Sequence, residues 1–265
     1  MKLSAAYAIF SAKFQALLQY RTAALAGMGT QIFWGFLRTM IFVAFFAGGI
    51  STDTMTLAQT CAYIWYSQAF LAIIPLRGDA ELTQMIRSGN VCFELLRPVD
   101  LPSMWYARSL AMRIAPPLLR CFPILILAAA CGQLPFVGIS RTAAGIVSIF
   151  LATTVSAGIG LLMTISQFKT ISGQGIQTIA SVAATLFSGM VIPLPFLPGW
   201  MQAINYMLPF RCVCDLPFRI LSGHIHSTQE IAFTIAIQLF WTIALILFAR
   251  LCMKRSFKHI VIQGG

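Results

Sequence analysis

Charge is what this sequence has least of. Asp, Glu, Lys and Arg make up 9% of 265 residues, only seven of them acidic, while 58% are hydrophobic. A water-soluble domain carries about 25% charged residues, so a freely soluble chain is excluded. The mean hydropathy of +0.83 belongs to integral membrane proteins. Catalytic and nucleotide-binding motifs are missing too. No Lys follows a Gly, which removes the G-x-x-x-x-G-K-[ST] loop that cradles nucleotide phosphates, and neither H-E-x-x-H nor G-x-S-x-G occurs. Asp53, Asp79, Glu81, Glu94, Asp100, Asp215 and Glu230 all fall outside or at the margin of the apolar stretches. Coupling to protons or sodium ordinarily uses acids at membrane depth, so the chain has no visible source of chemical work.

Cysteine is scattered rather than paired. The seven thiols lie mostly in or beside apolar stretches, where Cys behaves as a small hydrophobe. Cys212-x-Cys214 followed by His224-x-His226 is the one Cys/His group, and its spacings do not match zinc-finger patterns. No metal site is expected.

Six stretches are long and apolar enough to span about 30 Å of hydrocarbon as helices: residues 25–49, 57–76, 110–131, 143–166, 174–192 and 231–250. With the N-terminus in the cytoplasm, only Arg141, Arg211 and Arg219 fall outside and Arg38 and Arg120 within spans; every other Lys and Arg lies inside. That bias places both termini in the cytoplasm. It also accounts for the net charge of +11 without nucleic acid.

Residues 1–22 do not read as a signal peptide, because Lys13, Gln15, Gln19 and Arg21 interrupt the apolar run. As a helix they carry Leu3, Tyr7, Phe10, Phe14, Leu17 and Leu18 on one stripe, with Ile9 off it, which fits a helix lying in the membrane interface. The cytoplasmic connection 77–108 contains a short helix with Asp79 as N-cap, Glu81 in its first turn, Arg87 in its last and Gly89 beyond, then a second helical piece stopped at Pro98. Such a capped loop is either a rigid docking surface or a solvated loop.

"SGMVIPLPFLPGWMQAINYMLPFR", residues 188–211, is apolar yet interrupted by Pro193, Pro195, Pro198 and Pro209. Pro198 is placed to start a helix over 199–207, far too short to cross a bilayer, and a second short helix is expected over 213–221. Irregular backbone at membrane depth persists only where protein or a watery cavity satisfies it. Residues 193–222 therefore read as a re-entrant hairpin on the outer side, or else as an apolar loop on the lipid surface. The expected fold is one all-α integral membrane domain, residues 1–265, of six transmembrane helices with an interfacial helix at its N-terminus.

In this order, these features resemble the permease subunits of ABC-2 type exporters. "IRSGNVCFELLRPVDLP", residues 86–102, is similar to an element of the subfamily that includes viologen and drug exporter permeases. The resemblance implies a bacterial inner-membrane subunit working with a second permease, as homo- or heterodimer, and with a separate ATP-binding cassette ATPase dimer. ATP and Mg would be bound by that partner, and no cofactor by this chain. It makes the short cytoplasmic helix a coupling helix, with Glu81, Met85, Arg87, Glu94 and Arg97 as contacts to the ATPase, and Pro193, Pro195, Pro198 and Trp200 as parts of an outer gate.

Pathway residues are read from the spans. Arg38 has no carboxylate at its depth, so it snorkels, faces a cavity, uses backbone carbonyls or pairs across a subunit boundary. Tyr63, Tyr66, Phe70, Phe187 and Met190 suit flat or greasy molecules, or simply packing. Ser156 and Gly160, with Gly27, Gly29 and Gly35, mark places where helices approach closely. An ATP-independent channel or carrier and a membrane enzyme remain the alternatives.

Overall fold

The structure, a computed structural model, describes residues 2–19, 21–48, 54–168 and 174–257. Asp53, Lys169 and Lys258, and the side chains of Lys2, Leu3, Ser4 and Arg21, lie outside the described residues. The described residues form helices and no strand. In chain order these are α1 (Lys2–Leu18), α2 (Arg21–Ala47), α3 (Leu57–Ala69), α4 (Ala80–Arg87), α5 (Val91–Leu95), α6 (Leu101–Ala130), α7 (Ile139–Ile165), α8 (Gln174–Phe187), α9 (Gly199–Tyr206), α10 (Asp215–Leu221) and α11 (Thr228–Phe257).

Four of them, α2, α6, α7 and α11, are long and apolar enough to cross a membrane. The two other stretches expected as spans are shorter helices. α3 has 13 residues and continues as a 3-10 turn, Leu71–Ile73, and α8 has 14. Thirteen residues rise only about 20 Å, and Phe70, with φ −108° and ψ 18°, ends α3. An apolar run by itself does not distinguish a full helix from a half helix continued by irregular chain.

α7 is the central helix. Some 67% of its most apolar window is buried, against 33% for α6, 17% for α11 and 11% for α2. The outward faces of the peripheral helices carry exposed Phe33, Met40, Phe122, Ile179, Phe240 and Phe248, among others, as lipid contact requires. Lipid tails are as apolar as Leu, so close packing and interhelical hydrogen bonds hold such a bundle together. α7 provides both. Gly145 faces Leu221, Gly158 faces Leu245, and Gly160 faces Arg113 so closely that a Cβ there would sit 2.9 Å from its Nη2. Gln238 on α11 accepts from Ser148 Oγ at 2.9 Å and donates to the carbonyls of Ser148 (3.1 Å) and Cys212 (2.9 Å). Ser109 Oγ donates to Ala157 O at 2.9 Å, tying α6 to the same helix.

Two ends of the bundle can be distinguished along α7. Gly78, just before α4, meets Thr164, while Leu221 of α10 meets Gly145. Those contacts are about 28 Å apart at about 1.5 Å per residue. α1 packs along α6 at the α4 end, with Phe10, Phe14, Leu17 and Leu18 of the expected stripe half-buried, but its orientation is not set by that stripe alone. Ile9 packs against the cluster of Leu82, Trp105 and Met253, while Tyr7 stays 72% exposed. The stripe assumed that one apolar surface, the lipid, sets the helix's orientation. In the fold, α4 and α6 take part of it.

At the other end, residues 191–225 form a chain of short pieces. A 3-10 turn, Leu194–Phe196, follows Pro193; α9 starts after Pro198 and runs to Tyr206, one residue short of the expected end; a second 3-10 turn, Pro209–Cys212, leads into α10. Prolines stand at the starts of both 3-10 turns and of α9, because their fixed φ suits the first turn and their missing N–H loses nothing there.

Candidate functional site

At the α4 end, Asp79 caps α4 by accepting from the backbone N–H of Glu81 (2.9 Å) and Leu82 (3.2 Å), as the sequence indicated. It does more than cap. The Asp79 side chain is buried, its backbone N–H donates to Thr164 Oγ1 at 2.9 Å, and Arg108 of α6 binds its carboxylate. Arg108 also reaches Glu81, whose other carboxylate oxygen takes Lys13 of α1. Two acids of α4 are thus tied to both α1 and α6. The Lys13 hydrogen bond, aided by Arg108, holds the Glu81 carboxyl below its ordinary value.

The five residues expected at the coupling surface divide. Met85 packs inward against the Leu82 and Trp105 cluster. Glu94 is largely covered and pairs with Arg97 at 3.1 Å. Glu81 is exposed but occupied by its two cations. Arg87 and Arg97 face outward. Sequence reasoning missed their neighbours Phe93 and Leu96, which are 63% and 80% exposed. In the sequence both resemble core residues, and only the turn geometry of α5 points them out. A polar cavity of about 480 Å³ lies between α4 and α8, lined by Arg77, Thr83, Gln84, Arg87, Gln177 and Ser181.

Past α3 and α8 the chain turns irregular, and the backbone carbonyls there lose the partners a continuing helix would give them. Side chains of neighbouring helices and one backbone N–H satisfy them. Past α8, Ser188 O accepts from Asp215 N (2.9 Å), Gly189 O from Tyr63 Oη (2.8 Å) and Met190 O from Arg38 Nη1 (2.8 Å). Gly189 has φ +81°, a conformation open to glycine and strained for a side chain. Past α3, Ser156 Oγ donates to Ile73 O, and Arg113 donates to the carbonyls of Ile74 (3.2 Å) and Arg77 (2.8 Å). Of the four options open to Arg38, the structure therefore has it using a carbonyl. Arg120 lies against Gly27, and Gly35 against Trp65.

The other residues expected along a pathway are partly brought together. Tyr63, Tyr66 and Phe70 all pack on Phe218 of α10, with ring centroids 5.6, 6.5 and 6.2 Å away. Phe187 stacks on Phe210, and Met190 is buried in the same cluster. Tyr66 and Phe70 also line an apolar cavity of about 450 Å³ between α6 and α7, with Pro117, Phe122, Ile149 and Phe150, and with Arg113 on its wall. Of the residues assigned to an outer gate, Pro193 is buried, Pro195 half-buried, Pro198 exposed and Trp200 66% exposed. Cys212 and Cys214 are buried. Among the described residues no three His, Cys, Asp or Glu side chains gather as metal ligands.

A family model described as ABC-2 family transporter protein matches residues 28–264. The chain belongs to the ABC-2 transporter family. Comparison with curated proteins gave no match. Members of this family are membrane transport components that typically work with an ATPase partner and are not themselves catalytic. The chain is accordingly a multi-pass membrane transport protein.

Proposed function

We propose that this chain is the permease subunit of an ATP-driven ABC-2 exporter, forming the translocation pathway with a second permease and taking its work from a separate ATPase dimer that binds ATP and Mg. The chain crosses a bacterial inner membrane six times, α3 and α8 doing so with the irregular segments that continue them. Both termini and the α4–α5 platform lie in the cytoplasm, and residues 193–222 form a re-entrant hairpin on the outer side. The inward bias of Lys and Arg supports this orientation.

The observation that carries the proposal is the bracing of α4. Asp79 and Glu81 are held by Arg108 of α6 and Lys13 of α1, so a push on α4 is delivered to two helices rather than absorbed by a loop. Beside it stand Phe93 and Leu96, exposed and flanked by Arg87 and Arg97. In cytoplasm no lipid covers such an apolar pair, and surfaces of this kind mark protein contacts. The apolar cavity between α6 and α7, with a cation on its wall, suits a drug-like, lipid-like or otherwise amphipathic substrate.

The test is co-purification of the tagged chain with a Walker-motif ATPase encoded beside it, followed by reconstitution. Stoichiometric recovery of the ATPase, and ATP-dependent efflux only when both are present, are expected. Uphill transport by this chain alone would overturn the proposal.

A further inference from the structure

The α10 end holds a polar cavity of about 260 Å³, where about 10–15 Å³ is enough for one water. Its walls include Asn205, Tyr206, Arg211, Asp215, Arg219 and His224. Most of this polar group is already satisfied. Asp215 is 1% exposed and accepts from Arg219 Nη1 at 3.3 Å, so its charge is balanced within the wall. Arg219 Nε donates to His224 Nδ1 at 3.1 Å. That leaves the imidazole proton on Nε2, which donates to Thr54 O at 2.5 Å, so His224 is held neutral in one tautomer. Burial, the largest influence on its pKa, acts in the same direction.

Two wall residues are left over. Arg211 is 5% exposed, no carboxylate among the described residues lies within ion-pair distance of it, and its Nε has no hydrogen-bond partner. Its guanidinium sits over the Tyr206 ring, 4.4 Å from the centroid, which fixes its plane without providing an acceptor. Asn205 is 1% exposed, and neither its amide nitrogen nor its carbonyl oxygen has a partner. A buried guanidinium offers five N–H donors and no acceptor, and leaving it or a buried amide unpaired costs free energy. The same cavity is thus lined by a cation that forms no ion pair among the described residues and by an amide whose two polar atoms lack partners.

We propose that this cavity binds an oxyanion of the phosphate type, with Arg211 as its charge partner and Asn205 as a hydrogen-bonding partner in the same wall. The anion comes either from solution or from the headgroup of an anionic lipid whose tails lie along the neighbouring apolar helices. The site is distinct from the apolar cavity between α6 and α7 and does not depend on which way the chain faces.

The purified chain tests this. Thermal unfolding is measured in zwitterionic detergent with inorganic phosphate and with chloride at matched ionic strength, and retention of phosphatidylglycerol against phosphatidylcholine is measured by native mass spectrometry. Stabilisation by phosphate identifies a soluble oxyanion; selective retention of phosphatidylglycerol identifies a lipid headgroup; either supports the site. Arg211→Gln is expected to weaken the response at least tenfold. Asn205→Leu separates binding from folding, because it removes unpaired polar atoms at similar volume. It is expected to unfold at the wild-type temperature or above without ligand, yet to lose the response to the ligand. No response to either probe in the wild type, or an undiminished one in Asn205→Leu, overturns the proposal.

Discussion

Arg38 of α2 donates from Nη1 to the carbonyl oxygen of Met190, 2.8 Å away and 152 residues further along the chain. The bond closes the irregular end of α8 against the first long helix. Removing the guanidinium strands a carbonyl where little water reaches it, at a cost of about 1–3 kcal/mol. Arg38→Leu is therefore expected to lower the thermal midpoint in detergent, and Arg38→Lys, which retains one donor, to lower it less. If Arg38 instead only bound substrate, Arg38→Leu would change transport and leave the unsubstrated midpoint alone.

Asp79 combines two roles that substitution can separate. Asp79→Asn retains an oxygen to cap α4 and loses the charge facing Arg108. Asp79→Ala loses both. Cap removal costs about 0.5–2 kcal/mol, and breaking a buried ion pair from one side costs about 3–5 kcal/mol. Both variants should be clearly destabilised, Asp79→Ala more so, by about the cap's share, and removal of the cation left facing position 79 (Arg108→Met) should relieve part of the Asp79→Asn loss in a double-mutant cycle.

Glu81 gives the attachment of α1 a pH dependence. Its carboxyl lies below its ordinary value of 4.5 because Lys13 and Arg108 bond its ionised form. A depressed folded pKa contributes stability that is present above the unfolded value of about 4.3 and is lost as pH falls through the lower folded value. The thermal midpoint should drop as pH falls below the ordinary carboxylate range, with a shallower slope in Glu81→Gln. Because the side chain is 63% exposed, the difference should shrink at high salt.

Gly158 faces the Cβ of Leu245, and a Cβ at 158 would lie 2.9 Å from it. The contacted atom belongs to the stem of the residue on α11, so it cannot swing aside as a side-chain tip would. Gly158→Ala is expected to cost about 1–3 kcal/mol through overpacking. Gly29, with nothing within 4 Å, should accept Ala with no measurable loss; equal midpoints for both variants would contradict the close approach of α7 and α11.

Leu96 is 80% exposed and makes little contribution to folding. Leu96→Asp should leave the thermal midpoint within about 0.5 kcal/mol of wild type, as surface substitutions do, while reducing recovery of the ATPase in pull-down at least tenfold. Unchanged recovery would remove Leu96 from the proposed interface.

The local signals that proved legible are those whose physics is local. Asp79 to Gly89 spells a capped helix, and α4 runs Ala80–Arg87. Pro198 announces α9, and the Ser156–Gly160 pair is where α7 admits Arg113 and the Ile73 carbonyl. Ile9 and Phe93 were misread or overlooked because direction within an amphipathic surface depends on what packs against it. Apolar residues 57–76 and 174–192 read as full helices because hydropathy carries no record of where backbone hydrogen bonding stops.

By itself the sequence determined that the chain enters a membrane and where short helices start and stop, since these follow from transfer free energy and a few residues' backbone preferences. Only the tertiary structure decided that Arg38 and Arg113 seal the ends of half helices, that Asp79 and Glu81 bind α4 to α1 and α6, and that Arg211 and Asn205 share a cavity. Each joins groups remote in the chain, and in an apolar medium a donor's partner is settled by which unsatisfied acceptor the packing brings within reach.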